Sequence, residues 1–151
     1  MTEKTAKADE QEQVIFHPDF FKIPEDGSKP YLVGLKCRNC GQLWFPKLPI
    51  CPACWSETLD ESPMERVGKL YTYTIMNVPQ PGVKAPLAIG YVDFPNGIRV
   101  GAQIDVLPDQ MKNLRIGMDL QVGAGVIRED KNGKKTISYV FRPLAASKGG
   151  K

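Results

Sequence analysis

At 151 residues, 42% apolar and 25% charged, the sequence has the profile of a soluble globular protein of one domain, or of a domain with a mini-domain attached. Its formal charge of +3, carried by scattered lysines and arginines, is too small for a nucleic-acid footprint. No apolar run approaches the roughly 18 residues that span a bilayer, which argues against a helical membrane protein.

The first stretch, MTEKTAKADEQEQ (1–13), has no hydrophobic segment. It predicts a disordered, solvated tail, neither signal peptide nor anchor, and with it a cytoplasmic location. Residues 14–30 form a lead-in, in which VIFHPDFFKIP (14–24) predicts one short helix, opened by Pro18 and Asp19 and stopped by Pro24. PYLVGLKC (30–37) reads as a strand entering a ribbon over 31–63.

That ribbon holds the chain's four cysteines, Cys37, Cys40, Cys51 and Cys54, spaced C-x2-C-x10-C-x2-C. Two residues between cysteines let a tight turn aim both sulfurs at one point, and two such turns build a thiolate tetrahedron around zinc. Gly41 supplies the positive-φ position after the first knuckle, and Pro52 pre-sets the second turn. Lys36, Arg38 and Lys47 stand near enough to offset the charge of the centre. Disulfides fit the expected compartment poorly, and a redox C-x-x-C needs only one motif in a βαβ context that is absent here. Iron would share the spacing, as in rubredoxin. Four filled ligand positions leave no vacancy for catalysis, and none for His17, the only histidine.

SETLDESP (56–63) reads as an acidic, turn-like linker. A barrel follows over 64–145. LYTYTIMNV (70–78) alternates Tyr71, Tyr73 and Ile75 against Leu70, Thr72, Thr74 and Met76, while LAIGYVDF (87–94) is apolar on both sides. IRVGAQIDV (98–106), DLQVGAGVI (119–127) and TISYVFR (136–142) supply three more strands. Asn96–Gly97 and Asn132–Gly133 signal hairpins, and LPDQMKNLRIG (107–117) is the one place for a helix or turn. Five strands with the irregular element between the third and fourth follow the order of an OB-fold. The predicted fold is mainly β: a short N-terminal helix, a rubredoxin-like zinc ribbon and a five-stranded OB barrel. Residues 146–151 predict a second disordered tail.

A ribbon plus an OB barrel suits a single-stranded nucleic-acid binder, with Tyr71, Tyr73, Tyr91 and Phe94 as stacking candidates. The lack of a concentrated basic stripe weighs against it. Taken as an ordered series, LVGLKCRNCG, FPKLPICPAC, GKLYTYTIMNVP, NGIRVGAQID, IGMDLQV and YVFRP resemble the DUF35 family, from about residue 31 to 144. The resemblance implies a zinc-containing, non-catalytic partner of a thiolase-superfamily enzyme. It implies that the large partner supplies the nucleophilic cysteine, while the small protein stabilises it and helps form the acyl-CoA site. The residues agree: no thiol is left uncommitted, and no G-x-S-x-G, P-loop or histidine–carboxylate arrangement is present. Glu129–Asp130 reads as a solvated hairpin end.

Trp55 stands where the family commonly has glycine. With Trp44 and Phe45 it forms the expected partner interface, since exposed aromatics on a ribbon with little core are typical anchors. Packing over the metal centre or the barrel is the competing reading for Trp44 and Phe45. Lys84, in the PQPGVKAP loop (79–86), and Arg99 are the candidates for contacts to coenzyme A.

Overall fold

A computed structural model describes residues 13–78 and 80–144. The expected tails fall outside these residues, apart from Gln13. The first five strands are β1 (Gln13–Ile15), β2 (Phe21–Lys22), β3 (Tyr31–Cys37), β4 (Leu43–Trp44) and β5 (Leu59–Pro63). The next five are β6 (Val67–Met76), β7 (Leu87–Asp93), β8 (Arg99–Ile104), β9 (Asp119–Glu129) and β10 (Lys135–Pro143). A 3-10 turn over Pro108–Asn113 lies between β8 and β9. No helix among the described residues is long and apolar enough to cross a membrane.

Residues 14–24 do not form the expected helix. The amides of Phe20 and Phe21 both donate to the His17 carbonyl, so the segment makes one turn, and His17 itself has φ 58. Pairing outcompetes the short local helix: β1 lies parallel to β10, and Phe21 pairs with Leu32 of β3. The acidic stretch 56–63 is also more than a linker. Leu59–Pro63 pairs antiparallel with Val33–Cys37, and its carboxylates meet cations there, Asp60 with Arg38 and Glu61 with Lys47.

The barrel strands hydrogen-bond in the closed cycle β6–β7–β8–β10–β9–β6, the circuit of an OB-fold. The β8–β10 seam is the weak point, holding one parallel bridge between Ile104 and Phe141. Gly97 at φ 81 and Gly133 at φ 80 occupy the two predicted hairpin turns. Leu70, Ala88, Val92, Val100, Ile104, Leu120, Val122 and Phe141 fill the interior. The expected alternation of β6 fails at one position. A bulge between Leu70 and Thr72 breaks the register with β7, so Leu70, Tyr73 and Ile75 face inward and Tyr71 is turned to solvent.

Two contacts lock ribbon to barrel. Arg66 donates to the carbonyls of Pro30 and Val122, at 2.8 and 2.9 Å. Phe20 and Phe45 meet edge to face at 5.1 Å, and both approach the Tyr139 ring of β10. Aromatic pairs of this geometry add about 0.5–1.5 kcal/mol each beyond burial.

Candidate functional site

The four cysteines come from two similar knuckles. In the first, the Gly41 amide donates to the Cys37 carbonyl at 3.0 Å; in the second, the Trp55 amide donates to the Cys51 carbonyl at 2.8 Å. The residue after each second cysteine is left-handed, Gly41 at φ 76 and Trp55 at φ 65. A bulky residue therefore holds a conformation that favours glycine, at a cost of roughly 1–2 kcal/mol.

All four sulfurs lie within 4.8 Å of one another. Cys37 and Cys54 are 3.5 Å apart, and Cys40 and Cys51 3.6 Å. A tetrahedron with Zn–S bonds near 2.3 Å has S–S edges of about 3.8 Å, so the cage fits a zinc ion. A disulfide needs about 2.05 Å and is not formed. The thiols do not ionise alike. Burial pushes the Cys51 thiol up, but the amides of Cys54 and Ala53 and the Trp44 indole outweigh it and bring it to about 6. At Cys37 the Cys40 amide leads the downward pull, and the thiol is lowered. Cys37 and Cys51 thus lean toward thiolate, the form that binds metal. At Cys40 the Gln42 amide pulls down, but burial and the neighbouring sulfurs of Cys51, Cys54 and Cys37 outweigh it and push the thiol up to about 12.

The three ribbon aromatics divide. Trp44 is half-buried and donates its indole N–H to Cys51 Sγ at 3.3 Å. Phe45 packs on the barrel core through Phe20 and Tyr139. Trp55 is 79% exposed, with Ile50 also exposed on the same knuckle. Of the three, only Trp55 is free to grip a partner.

Residues 25–60 match the domain described as ChsH2, rubredoxin-like zinc ribbon, and residues 61–124 match the ChsH2 C-terminal OB-fold domain. The chain is 40% identical, over 129 residues, to the benzoylsuccinyl-CoA thiolase subunit BbsA of Thauera aromatica, covering 85% of this chain and 88% of that one. It is 36% identical to the BbsA of Geobacter metallireducens, over 95% of each chain. It belongs to the ChsH2/DUF35 family. A DUF35 domain-containing scaffold protein of Pyrococcus furiosus is 38% identical over 77% of this chain and 85% of its own. Among solved structures, the Ltp2-ChsH2(DUF35) aldolase superposes with a TM-score of 0.61 at 27% identity, covering 75% of this chain and 84% of that one. The four-cysteine cage is therefore the structural zinc site of a DUF35 ribbon.

Lys84 and Arg99 do not form one site. They lie beyond opposite ends of β7, whose length is about 20 Å at the rise of an antiparallel strand. Arg99 is also committed: it donates to both oxygens of Asp93, at 2.6 and 3.0 Å, and its guanidinium lies 3.4 Å from the centre of the Tyr71 ring. Lys84 instead shares a cleft with Arg128, near the end of β9, which no sequence motif singles out. Of the stacking candidates, Tyr71 and Tyr91 are exposed, Tyr73 is turned inward and Phe94 is buried.

Proposed function

We propose that this DUF35 protein is the zinc-containing, non-catalytic subunit of a thiolase-type acyl-CoA acyltransferase complex. In this reading it stabilises the catalytic thiolase subunit and helps shape its acyl-CoA site. The observation that carries the reading is Trp55, a bulky aromatic held at positive φ and 79% exposed beside a rigid metal knuckle. Strain and exposure together suit a residue retained for a partner rather than for the fold. The likeness to BbsA over 85% of the chain supports a thiolase as that partner, and benzoylsuccinyl-CoA as the thioester cleaved. The β-barrel then serves as the scaffold that holds the ribbon at a fixed angle, through Arg66 and the Phe20–Phe45–Tyr139 cluster.

Co-expression with a thiolase of the benzoylsuccinyl-CoA type tests this reading. The two proteins are expected to co-purify, with thiolysis dependent on both, and Trp55→Ala should weaken the association. A thiolase that is stable and fully active alone, and is not retained by this chain, refutes the proposal.

One observation favours a second reading. Tyr91 flanks a groove of about 500 Å3 across β6, β7 and β8, a face that could stack single-stranded bases. Against it, the Tyr71 ring is already covered by Arg99, and Arg99 is neutralised by Asp93. A salt-sensitive shift of single-stranded oligonucleotides would favour this reading over the first.

A further inference from the structure

Five of the six arginines in the chain are engaged. Arg38, Arg99 and Arg142 bind carboxylates, and Arg66 and Arg115 bind backbone carbonyls. Arg128, near the end of β9, has no hydrogen-bond or ion-pair partner among the described residues, and neither has Lys84 of the β6–β7 loop. Both line one cleft of about 260 Å3, with Val83, Leu87, Val126 and Ile127 as its apolar wall.

The cleft is held together by backbone. Gln80 and Val83 close a small turn on each other, and the Glu129 amide donates to the Gly82 carbonyl at 2.9 Å, pinning the loop to β9. Gly82 sits at φ 80, and a Cβ there would stand 2.6 Å from the Glu129 carbonyl oxygen. The same Cβ would lie 2.8 Å from Arg128 Cγ and 3.0 Å from its Nε. Glycine at position 82 is thus what lets the arginine stem cross beneath the loop. On the floor, Gln103 donates its side-chain amide to the Ile127 carbonyl at 3.1 Å.

The charge around the cleft is one-sided. Along the chain, Lys84 and residues 128–135 hold five cations and two carboxylates, Glu129 and Asp130, and of these Lys84, Arg128 and Glu129 line the cleft. Asp130 is occupied as a turn acceptor for the amides of Asn132 and Lys134. Glu129 also lines the cleft and sets a limit on how many negative charges it accepts.

We infer that this cleft binds an organic phosphate carried on an apolar arm, with Arg128 and Lys84 on the phosphate oxygens and the wall of Val83, Leu87, Val126 and Ile127 on the arm. Its volume is below the roughly 300–1,000 Å3 of a pocket that encloses a whole ligand, so it takes one end of a longer molecule. The phosphate end of a coenzyme A thioester, where pantetheine meets the pyrophosphate, has this chemistry; to that extent the inference rests on the acyl-CoA reading above. Arginine suits the role because its planar fork engages phosphate oxygens in pairs, while Lys84 adds a point charge.

The test is titration of the full zinc-loaded chain with coenzyme A, with pantetheine, which has no phosphate, and with inorganic pyrophosphate. Coenzyme A is expected to bind, more weakly as salt rises; pyrophosphate should bind less tightly and pantetheine least. Arg128→Gln and Lys84→Gln should each weaken coenzyme A about tenfold, the loss of one charge-assisted contact. Arg128→Lys should recover part of that loss, and Gly82→Ala should mimic Arg128→Gln by displacing the stem. Zinc content and melting temperature of the glutamine variants should match wild type. Absence of coenzyme A binding at millimolar concentration, or equal affinity in wild type and both glutamine variants, overturns the inference. So does loss of thiolase association in those variants with coenzyme A binding intact, which would make the cleft a protein contact. Because the titration uses the chain alone, it stands or falls separately from co-purification with a thiolase.

Discussion

The indole Nε1 of Trp44 lies 3.3 Å from the Sγ of Cys51, donating its proton to a sulfur that is buried and pulled toward thiolate. The hydrogen bond joins an aromatic of the ribbon loop to the metal centre, and it satisfies the only polar atom of a half-buried ring. Hydrogen bonds to metal ligands orient them and tune their basicity.

Trp44→Phe keeps most of the ring and removes the donor. Zinc affinity should fall about tenfold, the lower end of the usual loss of an outer-shell partner. Competition with a chromophoric chelator measures it. Unchanged affinity would mean that the contact contributes packing only.

Stripping the metal should unfold the ribbon and leave the barrel. The ribbon strands β2 and β4 are two residues each, and Cys37 and Cys51 are its buried ligands, whereas the barrel core is built from β6 to β10. Amide exchange after chelation should lose protection in β3 to β5 and keep it in β7 and β9. Uniform loss across both would show that the barrel depends on the ribbon.

Trp55→Gly separates stability from function. Glycine adopts φ 65 without the steric cost, and the exposed ring gives up little packing, so stability should hold or rise by about 1 kcal/mol. Affinity for the thiolase partner should drop at least tenfold, as for a hot-spot aromatic. Denaturant titration and a pull-down read the two effects. A destabilised variant with normal association would place Trp55 in the fold instead.

Phe45→Ala should loosen the ribbon from the barrel. Its ring meets Phe20 at 5.1 Å and Tyr139 at 6.3 Å. Because the side chain is half-buried, the loss should be about 2 kcal/mol, below that of a fully buried phenylalanine. Urea unfolding checks the size. Retained stability with lost partner binding would show the ring serves the interface.

Asp93 supplies a pH test. The Arg99 hydrogen bond, with a smaller direct attraction, outweighs burial and holds the carboxyl below its ordinary 3.8. A depressed folded-state value means the stabilisation is fully present above the unfolded value. It disappears as pH falls through the lower folded one. The melting-temperature gap between wild type and Asp93→Asn should therefore be constant near neutrality and close below about pH 4. A gap that persists at lower pH would show that the ion pair is not its source.

The metal centre was legible because it is local: two C-x2-C turns with Gly41 and Pro52 carry their own geometry wherever the chain goes. The barrel strands were legible from apolar alternation, and the hairpins from Asn96–Gly97 and Asn132–Gly133, since pleat and turn chemistry are short-range. What the sequence left open depends on partners far along the chain. The lead-in turned from the expected helix into β1 and β2 because β10 and β3 offer edges more than a helical turn away in sequence. A bulge at Tyr71 reversed one side chain against the alternation. Phe45 went to the barrel, Trp44 to a sulfur and Trp55 to solvent, a division that the sequence left open for the first two. Arg99 was taken by Asp93, while Arg128 came to rest beside Lys84, more than forty positions away. Local chemistry set where a metal is held, and only long-range packing decided which charges and aromatics remain free to bind anything else.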